Sequence, residues 1–342
     1  MAQEMELDFR SDTVTRPDRA MRQAMYDAEV GDDVYGEDNC VNQLEASGAK
    51  LLGKQAGLFV SSGTQANLIS ILSHAGRGDE YITGRHYHTN FYEAGGAAAL
   101  GGVVPCTLPA DGAGRVCAAD VREAIKPDDF HHPISKLLCL ENTVNGQIQP
   151  AAHLAELCQI AHENNMFTHL DGARLMNASV ASKIAAADIV KTFDSVFLCL
   201  SKGLGAPAGS LICGSADFIA RARRWRKMLG GGMRQAGILA AAGRYAIEHN
   251  IQRLAEDHEN ARQLAEKLAQ INGVDVDVGN VDTNMIYMFL PEGKQGELPA
   301  FLRARDIIIS PAKKGFRLVL HKDIPATQTD RLAKGVAAFM AA

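Results

Sequence analysis

The chain has 342 residues, 46% hydrophobic and 22% charged, with a formal net charge of -5. This is enough apolar side chain for a large core, and the 32 glycines exceed what a helical bundle would carry, so the composition points to an α/β protein of enzyme size. The negative balance gives no bulk attraction to nucleic acid or to an anionic membrane, and no apolar run approaches the roughly 18 residues of a membrane span. The acidic N-terminus lacks a signal core. Of the seven cysteines, none in a C-x-x-C spacing, Cys139, Cys158, Cys199 and Cys213 sit inside apolar runs. They are neither a zinc set nor a disulfide framework, and a soluble, cytoplasmic protein is expected.

In chain order, residues 8–17 are polar and extended. Pro17 then fits a first-turn position, and Met21, Ala24, Met25 and Ala28 recur at helical spacing. Residues 31–38 form an acidic loop, a second helix carries Val41, Leu44, Leu51 and Leu52, and 57–60 reads as a short strand. Residues 61–64 (Ser-Ser-Gly-Thr) open a helix that runs through Ile71. Small and hydroxyl residues there leave free backbone N–H groups at a positive dipole end, which suits a phosphate; taken alone, the same residues also describe a plain N-cap.

From residue 80 the pattern alternates, with strands at 81–83, 103–108, 137–140, 166–170, 196–200 and 211–213 separated by helical or Gly-rich stretches such as the helix at 150–165. Such alternation predicts a mostly parallel sheet covered by helices, with functional groups at the strand ends. Residues 221–235 are basic and then loop-like. A long helix follows with Leu254, Ala261, Leu264, Leu268 and Ile271 on one face, and segments 283–289, 297–304, 307–309 and 316–320 are the makings of a small α+β domain. The expected organisation is an N-terminal segment (1–30) packing with the small domain, a large domain over 31–243 and the small domain over 244–342. No internal repeat or flexible linker is visible.

The stretch 195–213 places Lys202 in a Gly/Pro-rich turn between two apolar runs, and 168–174 (Thr-His-Leu-Asp-Gly-Ala-Arg) ends another strand-like run on Asp171. A lysine after a strand is more often a solvated turn residue. An amine nucleophile and an aspartate that keeps a pyridinium nitrogen protonated are, however, the two protein groups that pyridoxal phosphate needs, and the pairing suggests that cofactor. Other motifs are weaker. Residues 48–55 match G-x-x-x-x-G-K, but Gln55 replaces the Ser/Thr that would hold magnesium. The basic run 221–227 with Trp225 stands alone on an acidic protein and reads as a solvated face or subunit contact. There is no G-x-S-x-G, H-E-x-x-H or post-strand G-x-G-x-x-G.

Stretches 8–17, 31–36 (Gly-Asp-Asp-Val-Tyr-Gly), 62–67 (Ser-Gly-Thr-Gln-Ala-Asn), 140–143 (Leu-Glu-Asn-Thr), 169–174, 200–205 and 230–235 (Gly-Gly-Gly-Met-Arg-Gln) occur in the order in which they stand in the low-specificity L-threonine aldolases, which the chain resembles along nearly its whole length. The resemblance implies a pyridoxal-phosphate enzyme of fold type I, the aspartate aminotransferase type, assembled as a homotetramer of two dimers, that cleaves L-threonine or L-allo-threonine to glycine and acetaldehyde. It further implies Lys202 as the Schiff-base lysine, Asp171 at the pyridine nitrogen, Gly63 and Thr64 at the phosphate, and Arg234 reaching the phosphate of a neighbouring subunit. His88 matches the histidine stacked on the cofactor ring, His131 a second histidine near the β-hydroxyl, and Ser11, Arg174 and Arg317 the groups that bind the substrate carboxylate. One departure is Val144, where a histidine is expected. Two other readings stay open: a β-eliminating lyase on a β-substituted amino acid, and a non-catalytic binding protein that keeps the fold.

Overall fold

Apolar strand segments and the helices between them assemble, in the computed structural model, around a seven-stranded sheet; the structure describes residues 6–342. Across the sheet the strands run Ala56–Val60, Ser210–Gly214, Ser195–Cys199, Phe167–Gly172, Ile134–Glu141, Asp79–Gly84 and Val104–Leu108. Ser210–Gly214 is antiparallel to both its neighbours, and the other pairings are parallel. Ser195–Cys199 and Ser210–Gly214 are buried at every position, as continuous apolar strands are when helices cover both sheet faces.

The sheet order sets the site. In register, Glu141 at the end of one central strand lies beside Asp171 near the end of the next, and the chain leaving Cys199 reaches Lys202 a turn later. Carboxyl ends of adjacent parallel strands thereby gather groups that are far apart in sequence.

Of the four apolar clusters among the described residues, two are large. The first contains Leu138, Leu170, Val196 and Leu198 of the sheet; the second contains Leu264, Ile286, Phe316, Leu318 and Val336. In the second, Met285–Phe289 pairs antiparallel with Gly315–Val319, and Leu7–Asp8 runs parallel to Ile307–Ile308. The N-terminal segment divides between them: Leu7 and Phe9 belong to the second core, whereas helix Arg19–Tyr26 buries Met21 in the first. Helix Gly237–His249 keeps the first core going past residue 243, through Ala246. The crossing falls inside helix Leu254–Ala269, whose Leu254 belongs to the first core and Ala261 to the second.

The basic run lies on helix Ala216–Met228, and its charges are not simply solvated. Arg226 is buried, with Nη1 donating to the Phe59 carbonyl at 2.8 Å and Nη2 to Asp33 Oδ2 at 2.7 Å. This pair fixes the acidic loop, which forms a short 3₁₀ turn at Asp33–Tyr35, against the sheet. Among the described residues no helix is long and apolar enough to cross a membrane.

Candidate active site

The Lys202 turn is held at its backbone. Its carbonyl accepts from Thr15 Oγ1 at 2.9 Å and from the Gly205 N–H at 2.8 Å, and Gly205 takes a left-handed φ of 79° that closes the turn. The lysine's charge acts on Asp12, His88 and Glu141, which places its side chain among them.

Asp171 is 1% exposed. Its Oδ1 accepts the Ala173 N–H at 3.0 Å and its Oδ2 accepts Asn67 Nδ2 at 2.8 Å. The same Asn67 nitrogen donates to Glu93 Oε1 at 2.7 Å, and His88 Nδ1 lies 2.7 Å from that oxygen. One amide thus connects the aspartate and the histidine predicted for the site. The hydrogen bond to Glu93 raises the His88 pKa, and burial raises that of Glu93.

Glu141 faces the same space. Its Oε2 accepts the His88 backbone N–H at 2.8 Å. Burial first, and then the neighbouring Asp171 charge, push its carboxyl up to about 8; the two carboxyls at adjacent strand ends do not both hold charge comfortably.

On the other side stand the groups expected for a substrate carboxylate. Arg174 donates from Nε to Asp12 Oδ2 at 2.8 Å and from Nη2 to Asp12 Oδ1 at 2.5 Å. Burial would raise Asp12, but the Arg174 charge and hydrogen bonds overcome it and hold the carboxyl at about 2. Ser11 caps the short turn Asp12–Val14 by accepting the Thr13 N–H, and Asn284 Nδ2 reaches Asp12 Oδ2 at 3.4 Å. Arg317 donates to the Arg10 carbonyl at 3.2 Å. Burial raises the pKa of the Tyr287 hydroxyl, and the charges of Arg317 and Arg174 both act to lower it. Val144 is 3% exposed and pairs through its backbone with Gln147; its side chain packs against Gly114, where an added Cβ would come within 2.4 Å of it. It is a core residue.

Helix Gly63–His74 begins at Ser62, whose hydroxyl accepts the Gln65 N–H. The amides of Gly63 and Thr64 precede the first intrahelical bonds and are the donors a helix start offers to an anion. An added Cβ on Gly63 would meet the Phe197 ring at 3.3 Å and would lie 3.9 Å from Ser210 Oγ, a buried hydroxyl with no hydrogen-bond partner among the described residues. A small cradle with an unsatisfied hydroxyl fits a phosphate there.

Two of the expected site residues lie apart from this cluster within the single chain. Arg234 is half exposed and pairs with Asp32 at 3.1 Å. His131 sits on an exposed loop, its Nδ1 2.7 Å from Asp129 Oδ1 and its ring against Phe130, which is 93% exposed. Conversely, Asp12, Asn67, Glu93 and Glu141 belong to the site without having been singled out. Asp12, Asn67 and Glu141 lie within stretches that carried the resemblance and Glu93 lies outside them, and the types of all four alone are those of ordinary caps and surface polar residues.

The beta-eliminating lyase family model matches residues 8–290 of the chain. The low specificity L-threonine aldolase of Escherichia coli (strain K12) is 48% identical over 335 residues, covering 98% of this chain and 99% of the relative. A structure of Leishmania major threonine aldolase superposes with a TM-score of 0.83 at 21% identity, covering 98% of this chain and 100% of that one. A high-resolution structure of SPT with PLP superposes at 0.74 and 18% identity, covering 98% and 87%. The fold is the fold type I α/β architecture. The chain belongs to the beta-eliminating lyase family, in its low-specificity L-threonine aldolase branch.

Proposed function

We propose that this chain is a pyridoxal-phosphate-dependent lyase that cleaves the Cα–Cβ bond of L-threonine, L-allo-threonine and related β-hydroxy-α-amino acids, giving glycine and an aldehyde. The observation that carries the reading is the convergence of Lys202, His88 and the Asn67-held Asp171 opposite the Asp12-held Arg174. When bound, pyridoxal phosphate supplies a sink for the electron pair that the breaking bond releases.

The protein's own parts divide the work. Lys202 offers the amine that carries the cofactor, and Asp171 holds a proton on the ring nitrogen. Gly63 and Thr64 take the phosphate at the helix start. Arg174, with Ser11 and Arg317, binds the substrate carboxylate, for which a planar guanidinium offers parallel hydrogen bonds. Asp12 occupies one edge of Arg174 and leaves Nη1 and the outer face for substrate.

His88 has a defined tautomer. Glu93 Oε1 accepts from both Asn67 and His88, so Nδ1 carries a hydrogen and neutral His88 presents the lone pair on Nε2. We therefore assign Nε2 as the base that receives the β-hydroxyl proton, directly or through water. His131 would meet a hydroxyl only from a neighbouring copy or after its loop moves.

A homo-oligomer completes this reading. Tyr26, Tyr35, Phe91, Tyr92 and Phe130 are exposed aromatic side chains, and Tyr92 lies against the His88 ring at 5.6 Å. A second copy that covers such residues brings Arg234 to its neighbour's phosphate, and two such dimers make a tetramer. Turnover of L-threonine and L-allo-threonine with product identification tests the reaction: glycine and acetaldehyde are expected, and ammonia with a keto acid would instead establish the β-elimination reading. A reducing cytoplasmic location accords with seven free cysteines.

A further inference from the structure

Behind Asp171 the hydrogen bonds continue in one direction, away from the space offered to substrate. Asn67 Oδ1 lies 3.2 Å from His169 Nε2, His169 Nδ1 lies 2.8 Å from Ser195 Oγ, and Ser195 Oγ lies 2.7 Å from His74 Nε2. Asn67, His169 and Ser195 are 0% exposed and His74 is 6% exposed. Three elements supply the four groups: helix Gly63–His74 both ends, strand Phe167–Gly172 the imidazole between them, and strand Ser195–Cys199 the hydroxyl.

The chemistry fixes the sense of every bond. Asn67 cannot be flipped, because its Nδ2 stands between the carboxylate oxygens of Asp171 and Glu93, which accept and do not donate. Its Oδ1 must then receive a hydrogen from His169 Nε2. Burial lowers His169 to about 4 and His74 to about 3, so each ring is neutral and carries one N–H. His169 Nδ1 is therefore an acceptor for Ser195 Oγ–H, and Ser195 accepts in turn from His74 Nε2–H. The remaining nitrogen, His74 Nδ1, is buried with no hydrogen-bond partner among the described residues, so the chain ends there. Packing does not explain the order, since a buried apolar cluster would fill the same volume without matching donors to acceptors at each of these steps.

We propose that His74, Ser195 and His169 form a one-way relay that locks Asn67 as a donor and so positions Asp171 toward the ring nitrogen of the bound cofactor. The proposal rests on the pyridoxal-phosphate reading given above and adds His169 and Ser195 as positioning residues. Without the relay, Asn67 Oδ1 loses its only polar partner among the described residues, the amide is free to turn, and the carboxylate next to it loses a fixed donor. The effect belongs on the chemical step and on the electronic environment of the cofactor, since none of these three groups reaches the Arg174 side.

The test uses full-length protein reconstituted with pyridoxal phosphate, assayed on L-threonine, with the cofactor's visible absorption recorded at a fixed pH. His169→Phe keeps the ring volume and removes both links; kcat should fall roughly tenfold, as loss of an orienting partner behind a functional group does, with KM little changed and the visible band displaced. His169→Gln places an amide nitrogen near the Nε2 position and should restore most of the rate and the band. Ser195→Ala should shift both readouts in the same direction but less, and serves in place of His169→Phe if that variant does not fold. Equal rates and spectra for wild type, His169→Phe and Ser195→Ala would overturn the relay, as would equal impairment of the Phe and Gln variants, which would mark a packing role. A wild-type protein that neither binds pyridoxal phosphate nor cleaves L-threonine would overturn the proposed function and the relay with it; an active wild type with unaffected variants overturns the relay alone.

Discussion

Asp12 holds Arg174 along one edge of its guanidinium, through Nε at 2.8 Å and Nη2 at 2.5 Å, and the carboxylate is wholly buried. A freely rotating arginine would spend conformational entropy on every substrate it bound; this one is already oriented. Asp12→Ala should therefore lower kcat/KM for L-threonine roughly 10²-fold, the scale of a small misplacement of a binding group. Visible absorption of the reconstituted cofactor should change less than the rate, since the hydrogen bonds of Asp12 go to Arg174. Steady-state kinetics together with the absorption spectrum check both parts.

Glu141 makes a pH prediction of definite sign. Its carboxyl stands at about 8 in the fold against an ordinary 4.5, a raised acid, so the folded chain keeps a proton that the unfolded chain releases. The stability this contributes is complete below pH 4.5 and is lost as the pH rises through about 8. Thermal unfolding should show the wild type losing stability between pH 4.5 and pH about 8, and Glu141→Gln, which retains an acceptor for the His88 N–H, losing less over the same range.

The buried histidines act at the other end of the scale. His169 and His74 lie at about 4 and about 3 against an ordinary 6.5, and as bases with depressed values they take up protons more readily in the unfolded chain. Their contribution is complete above pH 6.5 and is lost as the pH falls toward these folded values. His74 already packs its ring on Phe167 and Phe218, so His74→Phe fits the space. Chemical denaturation at pH 7 and at pH about 5 should show a smaller acid-side loss for this variant than for wild type.

Lys202 and Asp171 were legible in the sequence because each follows an apolar run ended by glycine-rich or small residues, a pattern that marks a strand end. Their partners were not. Asn67 stands 104 positions from Asp171, and Asp33 stands 193 from Arg226; contacts that distant are set by strand order, which alternation alone does not fix. The alternating pattern gave the parallel sheet but not the reversed strand Ser210–Gly214, which has the same apolar run as its neighbours. Arg226 illustrates the opposite error: a run of cations reads as solvated until a carboxylate and a carbonyl are found to meet one of them in the interior. Val144, where a histidine is expected, is buried beside Gly114, a contact that residue type could not disclose.

The shared site can be tested by complementation. If Arg234 serves a neighbour's phosphate, Lys202→Ala and Arg234→Ala chains, each inactive alone, should regain part of the wild-type activity when mixed, because one of the two composite sites in a hybrid dimer holds both intact residues. Activity assays after proven subunit exchange check this; no recovery would place Arg234 outside the site.

The most direct measurement is borohydride reduction of the reconstituted enzyme followed by peptide mapping. The account predicts a protein with visible cofactor absorption that reduction abolishes, with the pyridoxyl group attached to Lys202 and no attachment in Lys202→Ala. Attachment at another lysine, or a wild-type chain that takes up no cofactor, would contradict it.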